Sequence, residues 1–489
     1  MISLARFTLP VFNVLGYVVL MFAATLLVPL LFASLGDDGA QRSFFIGLLV
    51  TVASGVLLVL ATRRFRRELQ VRDGFLLVTL VWTVLPLLAT VPLLLQLPDL
   101  TFTDAYFETM SGLTASGGTA LSAIDRLPLS INIWRHLMVW IGGMGILVLA
   151  VAILPVLGVG GAQAFKAEIA GPLKESKLTP RIADTAKALY VIYFALSIAC
   201  FFAYRWAGMS WSDALMHMGS TMGLGGFSSH DASFAYWNSP LIELVAVVFM
   251  TLAGFSFLLH FTAWRQRSPM LYWRNPEARA YIFTLVVSVI VVTVFLLLHD
   301  VYPDWQTALR YALFNTVSVA TTTGYSSTDY NLWPIFAPLV LLFIAGFTSC
   351  AGSTGGGIKM IRSVILVKQA RREMVRILHP RSINPVCVGG RVIENNLIFA
   401  VLAFMLVYGA SIITFTFLLL LSGLDVTTAF TAAVANVNNL GPGLNQVGPA
   451  SNYGLLNDFE VWVCTFAMLV GRLELFSVLV LLTPEFWRK

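Results

Sequence analysis

The amino-acid sequence predicts an all-α polytopic membrane protein, in which four parallel helix–loop–helix repeats follow an extra helix pair. Three observations predict this fold. The 489 residues are 58% hydrophobic and only 11% charged, which is too little charge to cover a soluble protein of this size. Apolar stretches of about 18–25 residues, long enough to cross a bilayer, recur along the chain. Four short glycine-ended segments lie at equivalent places between these stretches.

The apolar stretches predict ten membrane-spanning helices. The predicted spans are residues 10–33, 41–62, 73–97, 132–157, 183–207, 239–263, 279–300, 335–349 (continued by 358–376), 393–422 and 458–482. Arginine and lysine cluster in alternate connections, at 63–72, 166–187, 265–279 and 359–391, whereas the other connections carry mainly acids. Because basic loops stay on the cytoplasmic side, both termini are expected in the cytoplasm and all four glycine segments enter from outside.

Each glycine segment begins with a small residue and reaches its glycine six positions later. The four segments are Ser111–Gly117, Ser220–Gly226, Ser318–Gly324 and Ala435–Gly441. The stretches before the glycines, about 104–111, 211–220, 305–318 and 425–436, are too short to cross the membrane. They predict half-helices that enter the membrane and stop, followed by non-helical backbone that must be buried in protein or line water.

Four such loops around one axis can form a ring of backbone carbonyls that replaces the water shell of a cation. Glycine suits this role because a positive φ turns successive carbonyls toward a common axis. The pattern therefore predicts four helix–pore loop–helix repeats around a pseudo-fourfold pore. The alternative is that the glycines serve close helix packing, and the four equal offsets argue against it.

This division sets the expected domain boundaries. The N-terminal helix pair occupies 1–70, pore repeat 1 occupies 71–165, repeat 2 occupies 166–270, repeat 3 occupies 271–385 and repeat 4 occupies 386–489.

Repeat 3 has an interrupted second span. The run 335–349 would extend roughly 22 Å as a helix, against a hydrocarbon core of about 30 Å. Small polar residues and glycines follow it before Lys359. Because lipid cannot satisfy their backbone, residues 346–357 are predicted to form a barrier loop in the aqueous cavity below the carbonyl ring. The alternatives are a loose cytoplasmic connector and a phosphate-binding loop, the latter disfavoured because no Ser or Thr follows Lys359.

Two charged residues inside apolar or half-helical segments are further candidates. Arg472 is the only basic residue deep in the last apolar run, and an intramembrane charge usually faces a cavity or a partner. It either disfavours cations beneath the ring or forms a structural pair with Glu474 or with carbonyls. Glu108, in the first half-helix, either attracts cations at the outer mouth or has a solvated or capping role.

Five local motifs are Ser111-Gly-Leu-Thr114, Gly225-Gly-Phe-Ser-Ser-His-Asp231, Thr321-Thr-Thr-Gly-Tyr325, Asn438-Asn-Leu-Gly-Pro-Gly443 and Gly471-Arg-Leu-Glu474. With these motifs the whole chain resembles the TrkH/TrkG family of bacterial Trk potassium uptake proteins, within the Trk/Ktr/HKT superfamily. The extra helix pair favours the Trk branch over the shorter Ktr branch.

The resemblance implies potassium uptake driven by the membrane potential, with potassium bound by the backbone of four filter strands. The implied filter residues are Ala115, Ser116, Gly117, Leu224, Gly225, Gly226, Thr322, Thr323, Gly324, Asn439, Leu440 and Gly441. Some relatives that favour sodium have serine at the first filter glycine, so glycine at position 117 favours potassium. The implied gate residues are Gly346, Gly352, Ser353, Thr354, Gly355, Gly356, Gly357 and Arg472.

The resemblance also implies a homodimer in the bacterial cytoplasmic (inner) membrane. A cytosolic TrkA-type nucleotide-binding regulator would dock near the Arg371–Arg391 region, although basic residues there are equally expected from the positive-inside rule and anionic lipid. Membrane lipids are expected partners, whereas nucleic acid and organic cofactors are not. Two other functions stay open: a sodium-selective or proton-coupled cation symporter on the same fold, and a polytopic membrane enzyme, which would need convergent catalytic groups.

Overall fold

The computed structural model describes residues 2–148 and 178–488, and it confirms a predominantly helical membrane protein. The helices, in chain order, are α1 (Ile2–Ala23), α2 (Leu27–Gly36), α3 (Gln41–Thr62), α4 (Val71–Gln96), α5 (Phe102–Leu113), α6 (Leu129–Val148), α7 (Leu178–Ala207), α8 (Trp211–Gly223), α9 (Pro240–Gly254), α10 (Phe257–Gln266), α11 (Met270–Arg274), α12 (Pro276–Leu298), α13 (Trp305–Ala320), α14 (Phe336–Ala345), α15 (Met360–Leu378), α16 (Asn395–Leu421), α17 (Val426–Val437), α18 (Asp458–Arg472), α19 (Phe476–Leu479) and α20 (Pro484–Trp487). A two-stranded antiparallel hairpin, β1 (Cys387–Val388) and β2 (Arg391–Val392), precedes α16.

Within the described ranges, six helices are long and apolar enough to cross a membrane, or up to eight if two bent pairs each count as one span. The six are Thr8–Gly36, Gln41–Phe65, Arg72–Gln96, Ala186–Ala207, Pro276–Leu298 and Asn395–Leu421. They coincide with predicted spans, so the chain is an integral membrane protein. The end of the predicted span 132–157 and the basic residues Lys166, Lys174 and Lys177 lie outside the described residues.

Two spans that the hydropathy predicts as continuous are bent. Helices α9 and α10, predicted as 239–263, meet at 92°, and α18 meets the segment Phe476–Leu482, predicted as 458–482, at 107°. Extended backbone at Phe255 breaks the first pair, and positive φ at Glu474 and Leu475 breaks the second. The sequence around the first break is apolar and gives no sign of it, whereas the second break lies at the charged residues Arg472 and Glu474, which were not interpreted as a bend.

The four predicted half-helices are α5, α8, α13 and α17. Each begins with a side-chain oxygen that accepts a hydrogen bond from a backbone N–H in the first turn, as N-caps do. The capping residues are Thr101, Ser210, Asp304 and Asp425. The half-helices start with exposed residues and end in the buried centre of the molecule, where the glycine segments follow.

Candidate functional site

The four glycine segments share one backbone hydrogen-bond pattern. In each segment the residue before the glycine donates its N–H to the carbonyl of the segment's first residue. These bonds are Ser116 to Ser111 (2.8 Å), Gly225 to Ser220 (3.0 Å), Thr323 to Ser318 (2.8 Å) and Leu440 to Ala435 (2.9 Å). The residue two positions before each glycine has a positive φ, at Ala115 (51°), Leu224 (54°), Thr322 (60°) and Asn439 (53°). A residue in the left-handed conformation, followed by a residue whose N–H bonds back to the last helical turn, is a common way for a helix to end. All four half-helices therefore end in the same way.

The four glycines lie in a closed circle of close backbone approaches. A Cβ on Gly117 would press on Gly226, one on Gly226 would press on Thr323 and Gly324, and one on Gly324 would press on Leu440. A Cβ on Gly441 would lie 2.8 Å from the carbonyl oxygen of Ser116, which closes the circle. The structure thus brings together all twelve residues predicted as filter strands.

Several carbonyls of the circle have no hydrogen-bond partner among residues 2–148 and 178–488. No donor in the described residues bonds the carbonyls of Ser116, Thr323 or Leu440, whereas that of Gly225 accepts from the N–H of Phe227 at 2.9 Å. Buried carbonyls normally have a hydrogen-bond partner. Rings of such backbone oxygens are what the selectivity filters of cation channels are built from.

Side chains behind the segments hold them in place. Asn439 Nδ2 donates to Ser116 Oγ (2.8 Å) and so links the fourth segment to the first. The hydroxyl of Tyr453 donates to the carbonyl of Gly441 (2.7 Å), and Tyr325 is fully buried. Sequence analysis missed Tyr453, because it lies outside the repeated offset and no spacing signal marks it.

The predicted barrier loop lies directly beneath this circle. Thr354 Oγ1 donates to the carbonyl of Met222 at the end of α8 (2.9 Å). The N–H of Gly356 donates to Thr322 Oγ1 (2.8 Å), and a Cβ on Gly356 would press on Asn438. Ser353 and Thr354 are buried. The segment therefore touches three of the four glycine segments or their half-helices, which is not the behaviour of a loose cytoplasmic connector.

Charged side chains bond the middle and the second half of the barrier loop and the first turn of α15. Glu277, on α12, accepts hydrogen bonds from the N–H groups of Ala351 (2.7 Å) and Ile361 (3.1 Å). Lys359 is buried and its Nζ donates to the carbonyl of Gly355. Sequence analysis used Lys359 only to mark the end of the loop, and it missed Glu277, which is far from the loop in the chain.

Arg472 bridges the barrier loop and the first repeat. Its Nη1 donates to the carbonyl of Thr354 (3.0 Å) and its Nη2 to that of Gly142 on α6 (3.2 Å). Glu474 forms an ion pair with Arg362 instead (2.6 Å). The expected alternative of an Arg472–Glu474 pair is therefore wrong, whereas contact with carbonyls is found.

Glu108 is neither solvated nor a helix cap. Its side chain is fully buried and forms an ion pair with Arg135 of α6, with 2.7 Å between Oε1 and Nε. Sequence analysis missed Arg135. It is a charged residue within a predicted span, and that signal could have found it.

Comparison with known proteins matches residues 40–489 to the family described as TrkH, cation transport protein. The chain belongs to the TrkH family. It is 44% identical over 481 residues to the Trk system potassium uptake protein TrkH of Vibrio parahaemolyticus, covering 98% of this chain and 99% of that protein. It is 45% identical over 484 residues to the protein of the same name in Halomonas elongata, with the same coverage. It is 36% identical over 476 residues to TrkG of Escherichia coli, covering 97% of each.

A solved structure agrees with this TrkH-family assignment. The crystal structure of the potassium transporter TrkH from Vibrio parahaemolyticus superposes with a TM-score of 0.91 and 43% identity, over 98% of this chain and 99% of that one. The resemblance expected from the five motifs is thereby confirmed. Since the relatives are named as transport proteins, the chain is a transporter and the alternative of a membrane enzyme is wrong.

Proposed function

We propose that this TrkH-family chain takes up potassium across the bacterial cytoplasmic membrane through the circle of four glycine segments. The observation that carries the proposal is the closed circle at the buried ends of the four half-helices, in which three segments have a carbonyl that no described residue bonds. The names of its full-length relatives support potassium as the ion. The carbonyls of residues 115–117, 224–226, 322–324 and 439–441 would take the place of the ion's water shell.

The barrier loop and Arg472 would close the path on the inner side. The loop's contacts with Met222, Thr322 and the backbone near Asn438 support this role, because they lie at or just after the ends of three of the four half-helices. The Arg472 guanidinium adds a positive charge at that depth. In a low-dielectric cavity this charge would repel a cation and so lower its occupancy while the path is closed.

The assembly is also part of the proposal. The chain would form a homodimer in the inner membrane, with both termini cytoplasmic and a TrkA-type nucleotide-binding regulator on the basic inner surface. The half-exposed and exposed arginines of α15 in the Arg371–Arg391 region support an anionic or acidic partner there. Regulator binding would act on α15, which directly continues the barrier loop.

Ion-replacement flux with the purified chain in liposomes tests the proposal. Potassium should move down an imposed gradient, and replacing it with sodium should reduce the flux at least about tenfold, as expected if one ion is favoured by about 1.4 kcal/mol. Equal potassium and sodium fluxes would mean that the chain is a sodium-permeable transporter with the same fold. Potassium flux that requires a proton gradient in the same direction would favour a proton-coupled symporter.

A further inference from the structure

One buried ion pair lies beside two of the filter strands. Glu108 of half-helix α5 and Arg135 of α6 are both fully buried, with 2.7 Å between Oε1 and Nε. Removing both charges from water is costly, and a buried pair is weak evidence for stability by itself. Its remaining contacts show what else it does.

Those contacts go to the segments that continue outward from the glycines. Arg135 Nη1 donates to the carbonyl of Ser228 (3.3 Å) and Nη2 to Thr119 Oγ1 (3.3 Å). Glu108 Oε2 accepts from Thr119 Oγ1 (2.9 Å) and from the N–H of Ala120 (3.0 Å). Thr119 lies two residues after Gly117, and Ser228 lies two residues after Gly226. The pair therefore holds the first and second strands to each other.

The pair also contacts the aromatic residue beside the second filter glycine. The Arg135 guanidinium carbon lies 4.4 Å from the ring centroid of Phe227, a cation–π distance. The third strand has Tyr325 at the equivalent place, and the fourth is held by Tyr453 through the carbonyl of Gly441. The first strand has Gly118 there, which offers no side chain.

We propose that the Glu108–Arg135 pair is a positioning device for the filter, which sets the spacing of the first two strands and thereby the preference for potassium over sodium. The inference rests on the proposed function. Both the width of a carbonyl ring and the number of oxygens facing an ion depend on where its strands are held. Arginine suits the task because its planar fork serves several acceptors at once, whereas a lysine is a single point charge.

The test measures potassium and sodium flux separately with the purified full chain in liposomes. Arg135→Gln, Glu108→Gln and Arg135→Lys should each lower the potassium-to-sodium flux ratio by about tenfold, the effect of losing one or two charge-assisted hydrogen bonds. The ratio does not depend on how much protein is inserted. Thr119→Val leaves the ion pair intact and removes the bonds between the pair and the Thr119 hydroxyl, while the bond from the Ala120 N–H to Glu108 remains. This variant should therefore lower the ratio by a smaller factor, and it covers the case in which the charge variants do not fold.

A second outer ion pair supplies the matched control. Arg310 of α13 pairs with Glu243 of α9 (2.6 Å) and donates to Asn238, so it also ties a half-helix to a span, but its bonds do not reach a filter strand. Arg310→Gln should keep the wild-type ratio.

Two results would overturn the inference. One is a wild-type potassium-to-sodium flux ratio in both Arg135→Lys and Thr119→Val, which would show that the pair contributes to folding and not to ion selectivity. The other is a potassium flux that rises in one of the variants Arg135→Gln and Glu108→Gln and falls in the other, while the potassium-to-sodium ratio stays unchanged. That result would show that the two charges change the local concentration of cations rather than the filter. Absence of potassium flux in the unsubstituted chain would instead overturn the proposed function, and this inference with it.

Discussion

Gly117 and Gly118 are adjacent but meet different constraints. Gly117 has a φ of 83°, and its Cβ would collide with backbone of the neighbouring strand. A Cβ on Gly118 would meet ring atoms of Tyr453, at 3.1 Å, and of Phe107, at 3.5 Å, rather than backbone. Strain from a non-glycine residue with unusual φ costs about 1–3 kcal/mol, and here the neighbouring strand must also shift.

Gly117→Ser should therefore lower the potassium-to-sodium flux ratio by about tenfold or more, consistent with a strain cost of this size. Gly118→Ser, the matched control, should change it less than about threefold, because an aromatic ring can give way. The measurement is flux of each ion in liposomes. Equal effects of the two serines would show that the first glycine is not a filter position.

His230, in the connection between α8 and α9, provides a pH-dependent prediction. Its Nδ1 pairs with Asp125 and its Nε2 lies 3.7 Å from Asp213. Tyr236 stacks on its ring, and Asp231 and His217 are the other titratable groups nearby. Burial alone would lower the pKa of His230, but the two carboxylates outweigh it and raise the pKa above the usual 6.5.

A raised pKa in the folded state stabilises the protein below pH 6.5, and this stabilisation is lost as the pH rises through the raised value. The melting temperature of the wild type should therefore exceed that of His230→Gln most at pH 6 and least at pH 9. Thermal unfolding of both proteins across this range checks it. A constant difference would mean that the histidine contributes packing rather than charge.

At the scale of elements, the half-helices were predictable and the bends were not. Length and cap residues are local signals, so α5, α8, α13 and α17 followed from the sequence alone. The bends after Gly254 and Arg472 depend on a few backbone angles, the first within apolar sequence and the second beside the charged residues Arg472 and Glu474, whose presence does not by itself predict a bend. The interruption after Ala345 was visible because its glycines and small polar residues break the hydropathy.

The barrier loop gives a matched pair of hydroxyl deletions. Thr354 bonds outside the loop, to Met222 of α8, whereas the Ser353 hydroxyl bonds within it, to the carbonyl of Cys350 (2.7 Å). A buried hydrogen bond contributes about 1 kcal/mol, so losing the external one should shift the loop toward an open position.

Resting potassium flux should rise about fivefold in Thr354→Val, because a hydrogen bond of about 1 kcal/mol corresponds to about this factor in the population of the open loop. In Ser353→Ala the flux should stay near the wild-type value. Flux without any regulator present is the measurement. A larger rise with Ser353→Ala would mean that the internal shape of the loop, and not its attachment to α8, holds the path closed.

At the scale of the whole molecule, contacts between repeats lay beyond sequence reasoning. Asn439 and Ser116 are 323 residues apart, and Arg135 and Ser228 are 93 apart. The offsets of the glycines predicted that four strands exist, and they implied a common axis. They could not show which side chains hold neighbouring strands, because one sequence contains no information on pairs so distant.

The buried carboxylates bear on how uptake is driven. In the described part of the chain, each of the five has a fixed role. Asp73, Glu108 and Glu243 pair with Arg67, Arg135 and Arg310, whereas Glu277 and Glu460 accept from backbone N–H groups. A proton relay needs carboxylates that are free to exchange protons across the membrane. Their engagement favours passive movement, for which a potential of 100 mV supplies about 2.3 kcal/mol per ion, enough for more than tenfold accumulation.

Passive conduction predicts a reversal potential set by potassium alone. In a bilayer with equal potassium on both sides and a difference of one pH unit, the current should reverse at zero. One proton coupled to each potassium would move the reversal by roughly 30 mV, because one pH unit is worth about 1.36 kcal/mol and two charges cross together. Glu277→Gln, which removes one buried carboxylate charge, should leave the reversal at zero as well. A shift with pH that this variant abolishes would identify a coupled proton path and contradict passive uptake.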